Sequence, residues 1–293
     1  MKVLNFGSLN IDYTYRVNKF VLPGETKASR GMTVGAGGKG LNQSVALAMA
    51  GAEVYHAGLI GADGAFLRTQ LAESGVDCGY LAQTQTPNGH AIIQLEDGGQ
   101  NCILLYAGTN HALTEPYIDR VLSHFSAGDI LLLQNETNAI PLLIEKAAEK
   151  GMQVAFNAAP MTEDVKRYPL GKLTWLLVNE TEGAALTGET DPKRIAETVC
   201  LRYPELALVL TLGTDGAVYR KGAVELYVPA RRVQAVDTTA AGDTFTGYFL
   251  AAAADGGDAA YALTLATAAA ALAVQRPGAA ASVPALEEVL KAL

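Results

Sequence analysis

Short apolar runs bounded by polar or glycine residues recur along the chain, and longer alanine- and leucine-rich segments lie between them. The runs at 2–6, 54–59, 130–133, 154–157, 173–178 and 206–212 predict strands. The segments 41–50, 64–74, 141–150, 180–186, 192–203, 243–254 and 258–274 predict helices, with Gly51, Gly75 and Gly188 as stop signals for three of them. Pro284 predicts a last helix with proline in its first turn. Strand–helix alternation of this kind predicts an α/β fold, its mostly parallel sheet covered on both faces. Two regions break the rhythm. Segment 13–34 is rich in β-branched and aromatic residues around a Pro23-Gly24 turn, and 90–95 and 101–106 flank Glu96-Asp97-Gly98-Gly99-Gln100, a hairpin signal. Both predict a small β appendage inserted into the α/β unit. A further hairpin is expected at 217–220 and 224–228, around Lys221-Gly222.

Composition narrows the function. The 293 residues are 49% hydrophobic and 18% charged, as expected of a globular core. Twenty-two basic against 30 acidic residues give a net charge of −8, which opposes general binding to nucleic acid or acidic membranes. The most apolar stretch, 259–274, is too short and alanine-rich to span a bilayer, and the N-terminal segment lacks the apolar run of a signal peptide. Cys78, Cys102 and Cys200 are far apart and form no CxxC pair, and the four histidines show no HxxxH spacing. The expectation is three buried thiols in a reducing cytoplasm, with no zinc site.

The segment Asp237-Thr-Thr-Ala-Ala-Gly-Asp-Thr-Phe245 carries the sharpest chemistry. Ala240, Ala241 and Gly242 precede Asp243 where a helix opens. Free N–H groups at a helix N-terminus bind anions, and small residues let a phosphate approach them. An acid there serves either as an N-cap or as a base that takes a hydroxyl proton during phosphoryl transfer. Gly35-Ala-Gly-Gly-Lys-Gly-Leu-Asn42 satisfies GxGxxG, but it follows the β appendage rather than the first core strand. It is not a Walker A loop either, because Gly40 follows Lys39. It reads as a glycine turn presenting Lys39 and Asn42 to a polyhydroxylated small molecule. Asn10, Asp12 and Glu136 follow strands, where α/β folds bind ligands, although each also fits a turn. Asn179-Glu-Thr-Glu182 reads either as a helix cap or as oxygen ligands for Mg²⁺ and phosphates. Thr211-Leu-Gly-Thr-Asp-Gly216 reads as an ordinary turn or as a nucleotide-facing loop.

Three elements in order, Gly37-Gly-Lys-Gly-Leu-Asn-Gln43, Asn179-Glu-Thr-Glu182 and 237–245, make the sequence resemble the ribokinase-like (PfkB) family of carbohydrate kinases over essentially its whole length. Asn10-Ile-Asp12, Pro23-Gly-Glu-Thr26, Ala107-Gly-Thr-Asn110 and the tail 276–284 point to its ribose-phosphorylating members. The resemblance implies a three-layer α/β sandwich formed by 1–293 as one kinase domain. Inserted segments, roughly 12–36 and 88–107, would form a lid that also makes a homodimer. It implies a cytoplasmic ATP-dependent kinase acting on a primary hydroxyl, ribose giving ribose 5-phosphate. Asp243 would be the base, with the amides from Ala240 through Ala241 and Gly242 to Asp243 as the anion hole. Asn10, Asp12, Gly38, Lys39, Asn42 and Glu136 would hold the sugar. Asn179, Thr211, Gly213, Gly216, Gly242 and Thr267 would border ATP. Asp237, Thr239, Ala273, Arg276, Gly278 and Ser282 would surround K⁺, partly through carbonyls, and Asn179 and Glu182 would reach Mg²⁺ through water. The second positions of Gln134-Asn-Glu136 and Asn157-Ala-Ala-Pro160 depart from the usual forms, and Thr267 replaces a bulkier ring residue. Two other readings stay open: a kinase for another sugar, a sugar acid or a nucleoside, and a catalytically silent sugar-binding protein. An intact Asp243 argues against the silent protein.

Overall fold

The computed structural model describes residues 1–293. In chain order, β1 (Val3–Phe6) leads into the antiparallel pair β2 (Asn10–Val17) and β3 (Gly31–Gly37). Then follow α1 (Lys39–Met49), β4 (Val54–Ile60), α2 (Ala65–Glu73) and β5 (Asp77–Gln83). The hairpin β6 (Gly89–Glu96) and β7 (Asn101–Tyr106) precedes α3 (Glu115–Leu122), β8 (Ile130–Gln134), α4 (Ile140–Glu149) and β9 (Gln153–Asn157). The chain continues through β10 (Trp175–Asn179), α5 (Glu180–Thr187), α6 (Pro192–Arg202), β11 (Ala207–Thr211), β12 (Ala217–Lys221) and β13 (Val224–Val228). It closes with α7 (Ala241–Ala254), α8 (Ala259–Ala273) and α9 (Leu286–Ala292).

A nine-stranded sheet runs in the order β13-β12-β11-β10-β9-β8-β1-β4-β5, parallel except for β12 and β13. Its central strands are mostly apolar because both faces are covered, with Asn5, His56 and Gln134 as buried polar exceptions. Alternation along β8 divides the core: Ile130 and Leu132 join one apolar cluster with residues of α1, α7 and α8, and Leu131 and Leu133 join a second with residues of α3, α4 and α6. A separate four-stranded sheet, β3-β2-β6-β7, holds the two irregular regions, joined by a parallel pairing of β2 with β6.

The structure corrects several expectations. Strand β5 and helix α3 were missed: β5 alternates charged, glycine and apolar residues, and α3 is only eight residues long with Pro116 at its second position. Pro284 precedes the cap residue Ala285 and is not in the first turn of α9. Only Cys200 is buried; Cys78 is half-buried, and Cys102 is exposed on the hairpin strand β7. Helix α1 begins at Lys39, two residues earlier than its apolar period suggests, after Gly38 at φ 93°.

One contact sets the site. A Cβ on Gly247 of α7 would lie 2.4 Å from the Ala46 Cβ of α1 and 2.8 Å from the Leu47 nitrogen. Only glycine permits this approach. One turn earlier on each helix, the same faces bring Asn42 and Asp243 together.

Candidate active site

A cavity of about 240 Å³ opens where β9, β10 and β11 end and α7 begins. Its lining includes Lys39, Asn179, Thr211, Ala241, Gly242 and Asp243. Strand order reverses direction at β1, between β8 and β4, so the polar residues after β1 and β8 also gather at this end of the sheet.

Asp243 is the third residue of α7. The cap is Ala240, held in the left-handed region at φ 59°, and it makes no side-chain cap bond. The Asp243 carboxylate does not cap the helix. It accepts from Asn42 Nδ2 at 2.9 Å and from Gln43 Nε2 at 2.8 Å, and it is 93% buried at the cavity wall. The N–H of Ala241 bonds the Thr238 carbonyl at 3.3 Å, and the N–H groups of Gly242 and Asp243 have no backbone acceptor. A Cβ on Gly242 would meet nothing within 4 Å, so the space in front of these donors is open.

A second cluster joins Lys39, Glu136, Ser8 and Asp12. Glu136 Oε2 accepts from the Lys39 backbone N–H at 2.9 Å and from the Ser8 hydroxyl. Burial pushes the Glu136 carboxyl above its ordinary range, against the pull of Lys39 and Ser8. Burial draws the Lys39 ammonium down, but the Asp243, Glu136 and Glu182 carboxylates outweigh it and hold it above its usual value. Asp12 is pushed up to about 6, by burial first and by the Glu136 charge second. Gly37 pairs across from Asn10, and any Cβ there would strike the Asp12 carboxylate at 2.0 Å. Asn10 Oδ1 accepts from Asn110 Nδ2 at 2.7 Å.

The raised Asp12 value has a consequence for stability. The fold favours the protonated carboxyl, a contribution complete below the ordinary 3.8 and lost as pH rises through about 6. At neutral pH the ionised group therefore costs the ligand-free fold about 3 kcal/mol. Asp12→Asn should melt above the parent at pH 7.5 by a few degrees, with the gap closing near pH 4. Thermal melts at the two pH values check this; equal melting at pH 7.5 would show that the strain is absent.

Asn179 and Glu182 form a reciprocal capping box at the start of α5: Glu182 N donates to Asn179 Oδ1 at 2.8 Å and Asn179 N to Glu182 Oε2 at 2.9 Å. Both also line the cavity, and burial raises the Glu182 carboxyl. Thr211 reaches the cavity from the end of β11. Gly213, Gly216 and Thr267 do not line it. Gly213 (φ 54°) and Gly216 (φ 118°) shape the turn before β12, where a Cβ on Gly216 would lie 2.1 Å from the Val228 carbonyl. Thr267 is buried in α8 with its hydroxyl unpartnered.

Asp237 ties two loops together. Its carboxylate accepts from the N–H groups of Thr239 and Gly278, each at 2.9 Å. Burial alone would raise this carboxyl, but the donated hydrogen bonds outweigh it and hold it below the ordinary range. Ala273 accepts from Arg276 N at 3.0 Å, Ser282 Oγ donates to Ala279 O at 2.8 Å, and the Arg276 side chain pairs outward with Glu288.

Sequence reasoning missed Thr246, which lines the cavity, and quoted Asn157, which also lines it, and Asn110, which anchors both Asn10 and the Leu9 N–H, within motifs without giving them a role. It quoted Gln43 and Gln134 within motifs without giving them a role. A buried glutamine is a signal in itself, but burial is not visible in one sequence.

The pfkB family carbohydrate kinase model matches residues 1–286. The chain is 34% identical to the ribokinase of Haemophilus influenzae over a 297-residue alignment, covering 98% of this chain and 96% of that one. The solved ribokinase of Thermotoga maritima superimposes with a TM-score of 0.89 at 33% identity, over 99% of this chain and 98% of that one. The ribokinase of Arabidopsis thaliana, solved in complex with ribose and ATP, gives 0.87 at 30% identity, over 99% and 97% of the two chains. The chain belongs to the pfkB family of carbohydrate kinases.

Proposed function

We propose that the protein is an ATP-dependent kinase that phosphorylates the primary hydroxyl of ribose to give ribose 5-phosphate. The observation that carries this reading is the buried Asp243 carboxylate, held by two amides beside the open N–H groups of α7. Bound ATP supplies the phosphoryl group. Asp243 accepts the hydroxyl proton as that oxygen attacks, while the N–H groups of Gly242 and Asp243 hold phosphate oxygens and the charge that develops on them. Lys39, between the two carboxylate clusters, adds positive charge on the phosphate side. Asn10, Asp12, Asn42 and Glu136 supply polar groups for sugar hydroxyls, and Asn42 Oδ1 has no partner within the protein. Gly38 belongs to the same turn. Asn179, Thr211, Gly242 and, further out, Gly213, Gly216 and Thr267 border the nucleotide.

The structure contains no group of three or more His, Cys, Asp or Glu able to hold a metal. Asn179 and Glu182 suit a Mg²⁺ that arrives on the nucleotide phosphates and that they reach through water. The charged Asp237 loop, with Thr239, Ala273, Arg276, Gly278 and Ser282 around it, fits a K⁺ that stiffens the loop next to the anion hole. Segments 12–36 and 88–107, which contain the four-stranded sheet, act as the lid that excludes water from the sugar. Met32, Val34, Ile92 and Leu104 share one face of that sheet and leave it apolar and exposed, which supports a homodimer through the lid. No helix is long and apolar enough to cross a membrane, in keeping with a cytoplasmic enzyme.

The deciding experiment measures ADP release with Mg-ATP across ribose, 2-deoxyribose, fructose, a sugar acid and adenosine, in K⁺, Na⁺ and tetramethylammonium. Ribose should give the highest kcat/KM, because a site built to pair hydroxyls rejects substrates lacking them by up to about 10⁴-fold. Rates should be highest in K⁺. Another substrate outrunning ribose tenfold or more overturns the ribose assignment, and equal rates in the three cations overturn the cation site.

A further inference from the structure

Behind the cavity wall, a line of polar side chains runs through the apolar core, from Asp243 to the far side of α1. Asn5, Gln43, Ser44, His56 and Gln134 are each 0% exposed. Gln43 Nε2 donates to Asp243 Oδ1 at 2.8 Å and to Asn157 Oδ1 at 3.2 Å. Gln43 Oε1 accepts from Gln134 Nε2 at 2.7 Å, and the same amide donates to Asn5 Oδ1 at 3.0 Å. Asn5 Nδ2 donates to Ser44 Oγ and to the Gly40 carbonyl, each at 2.8 Å. Ser44 Oγ lies 2.7 Å from His56 Nδ1, and His56 Nε2 lies 3.2 Å from the Gly7 carbonyl oxygen. So many buried polar groups persist in a core only when they pair with one another.

The direction of every bond follows from one end. The Gly7 carbonyl can only accept, so His56 carries its hydrogen on Nε2 and accepts on Nδ1. Burial draws the imidazole down to about 4, against the Gly7 bond, so the ring is neutral at physiological pH. Ser44 therefore donates to His56 and accepts from Asn5. That turns Asn5 Oδ1 to Gln134, which must answer with its N–H. Gln134 then meets Gln43 with an N–H as well, and its own Oε1 is left without a partner. Facing that donor, Gln43 must present its carbonyl to Gln134 and its N–H to Asp243. The reverse orientation would set a carbonyl oxygen against the carboxylate.

We infer that Gln43, locked by Gln134, Asn5, Ser44 and His56, is a positioning residue that fixes the Asp243 carboxylate in the orientation for proton removal. This rests on the reading of Asp243 as the base. Gln43 has no exposed surface and cannot touch substrate, so it acts only through Asp243. Asn42 holds the other carboxylate oxygen, and two donors on two oxygens fix the plane of the group. Lys39 from α1, Glu136 beyond β8 and Glu182 from α5 are the charged groups coupled to Asp243, and they set its field rather than its orientation.

The test measures kcat, KM for both substrates and sugar affinity by calorimetry in Gln43→Met, Gln134→Met, Asp243→Asn and the Gln43→Met/Asp243→Asn double variant. Gln43→Met should lower kcat roughly 10–100-fold, as expected for a slightly misplaced reacting group, with both KM values nearly unchanged. Gln134→Met should give a smaller loss of the same kind. In the Asp243→Asn background Gln43→Met should cost nothing further, since its only route to the reaction is gone. A parental kcat in Gln43→Met, or the same loss with and without Asp243, overturns the inference alone. Full turnover in Asp243→Asn overturns the base reading, and this inference with it. Should Gln43→Met fail to fold or to bind sugar, Gln134→Met, which leaves the Asp243 contacts intact, decides by the same measurements.

Discussion

Asp243→Asn should lower kcat by about 10²–10⁴ while sugar affinity changes little. The substitution keeps the shape of the side chain and removes its capacity to take a proton. It leaves one oxygen to accept from Asn42 or Gln43 and turns an N–H towards the other donor, so a modest loss of stability, on the order of 1 kcal/mol, should accompany the kinetic effect. The two effects separate in experiment: melting reports the first, and single-turnover rates at saturating substrate report the second. A well-folded variant turning over near the parental rate would mean that the proton leaves by another route.

Gly242→Val should lower kcat by about 10²–10³, the range for losing one oxyanion donor, without harming the fold. The position is helical, its φ is ordinary, and a Cβ there meets no protein atom within 4 Å. Valine is a better helix residue than glycine by a few tenths of a kcal/mol, so the melting temperature should hold or rise. What the branched side chain fills is the open space before the free N–H groups of Gly242 and Asp243. Parental rates in this variant would place the phosphates elsewhere. A variant that is slow because it is unfolded would contradict the open geometry.

The legible parts of this molecule are those whose physics is local. Strands such as Ile130–Gln134 are apolar at every position but the last because both faces are covered, and a run of that kind is readable without its neighbours. Strand β5 was not, because Asp77, Gly79 and Gln83 interrupt it and its pairing with β4 is what makes it a strand. At the site, the small residues before Asp243 signalled a helix start that invites an anion. Whether Asp243 capped that helix was undecidable from spacing, since the answer depends on Asn42 and Gln43, about 200 residues earlier. Asn179 and Glu182 illustrate the converse. The capping pattern was readable and is present.

The tight approach of α1 to α7 at Ala46 and Gly247 also shapes how the chain is made. Helix α1 leaves the ribosome with Leu41, Val45 and Ala46 bare, and α7, one of the helices that cover it, follows about 200 residues later. At ordinary rates of synthesis that interval lasts roughly 10–40 s. Throughout it the nascent N-terminal half displays an apolar helix face and half of a paired active site. The enzyme therefore completes the proposed catalytic centre only once nearly all of the chain has emerged, and until then its newborn form is a natural client for chaperones.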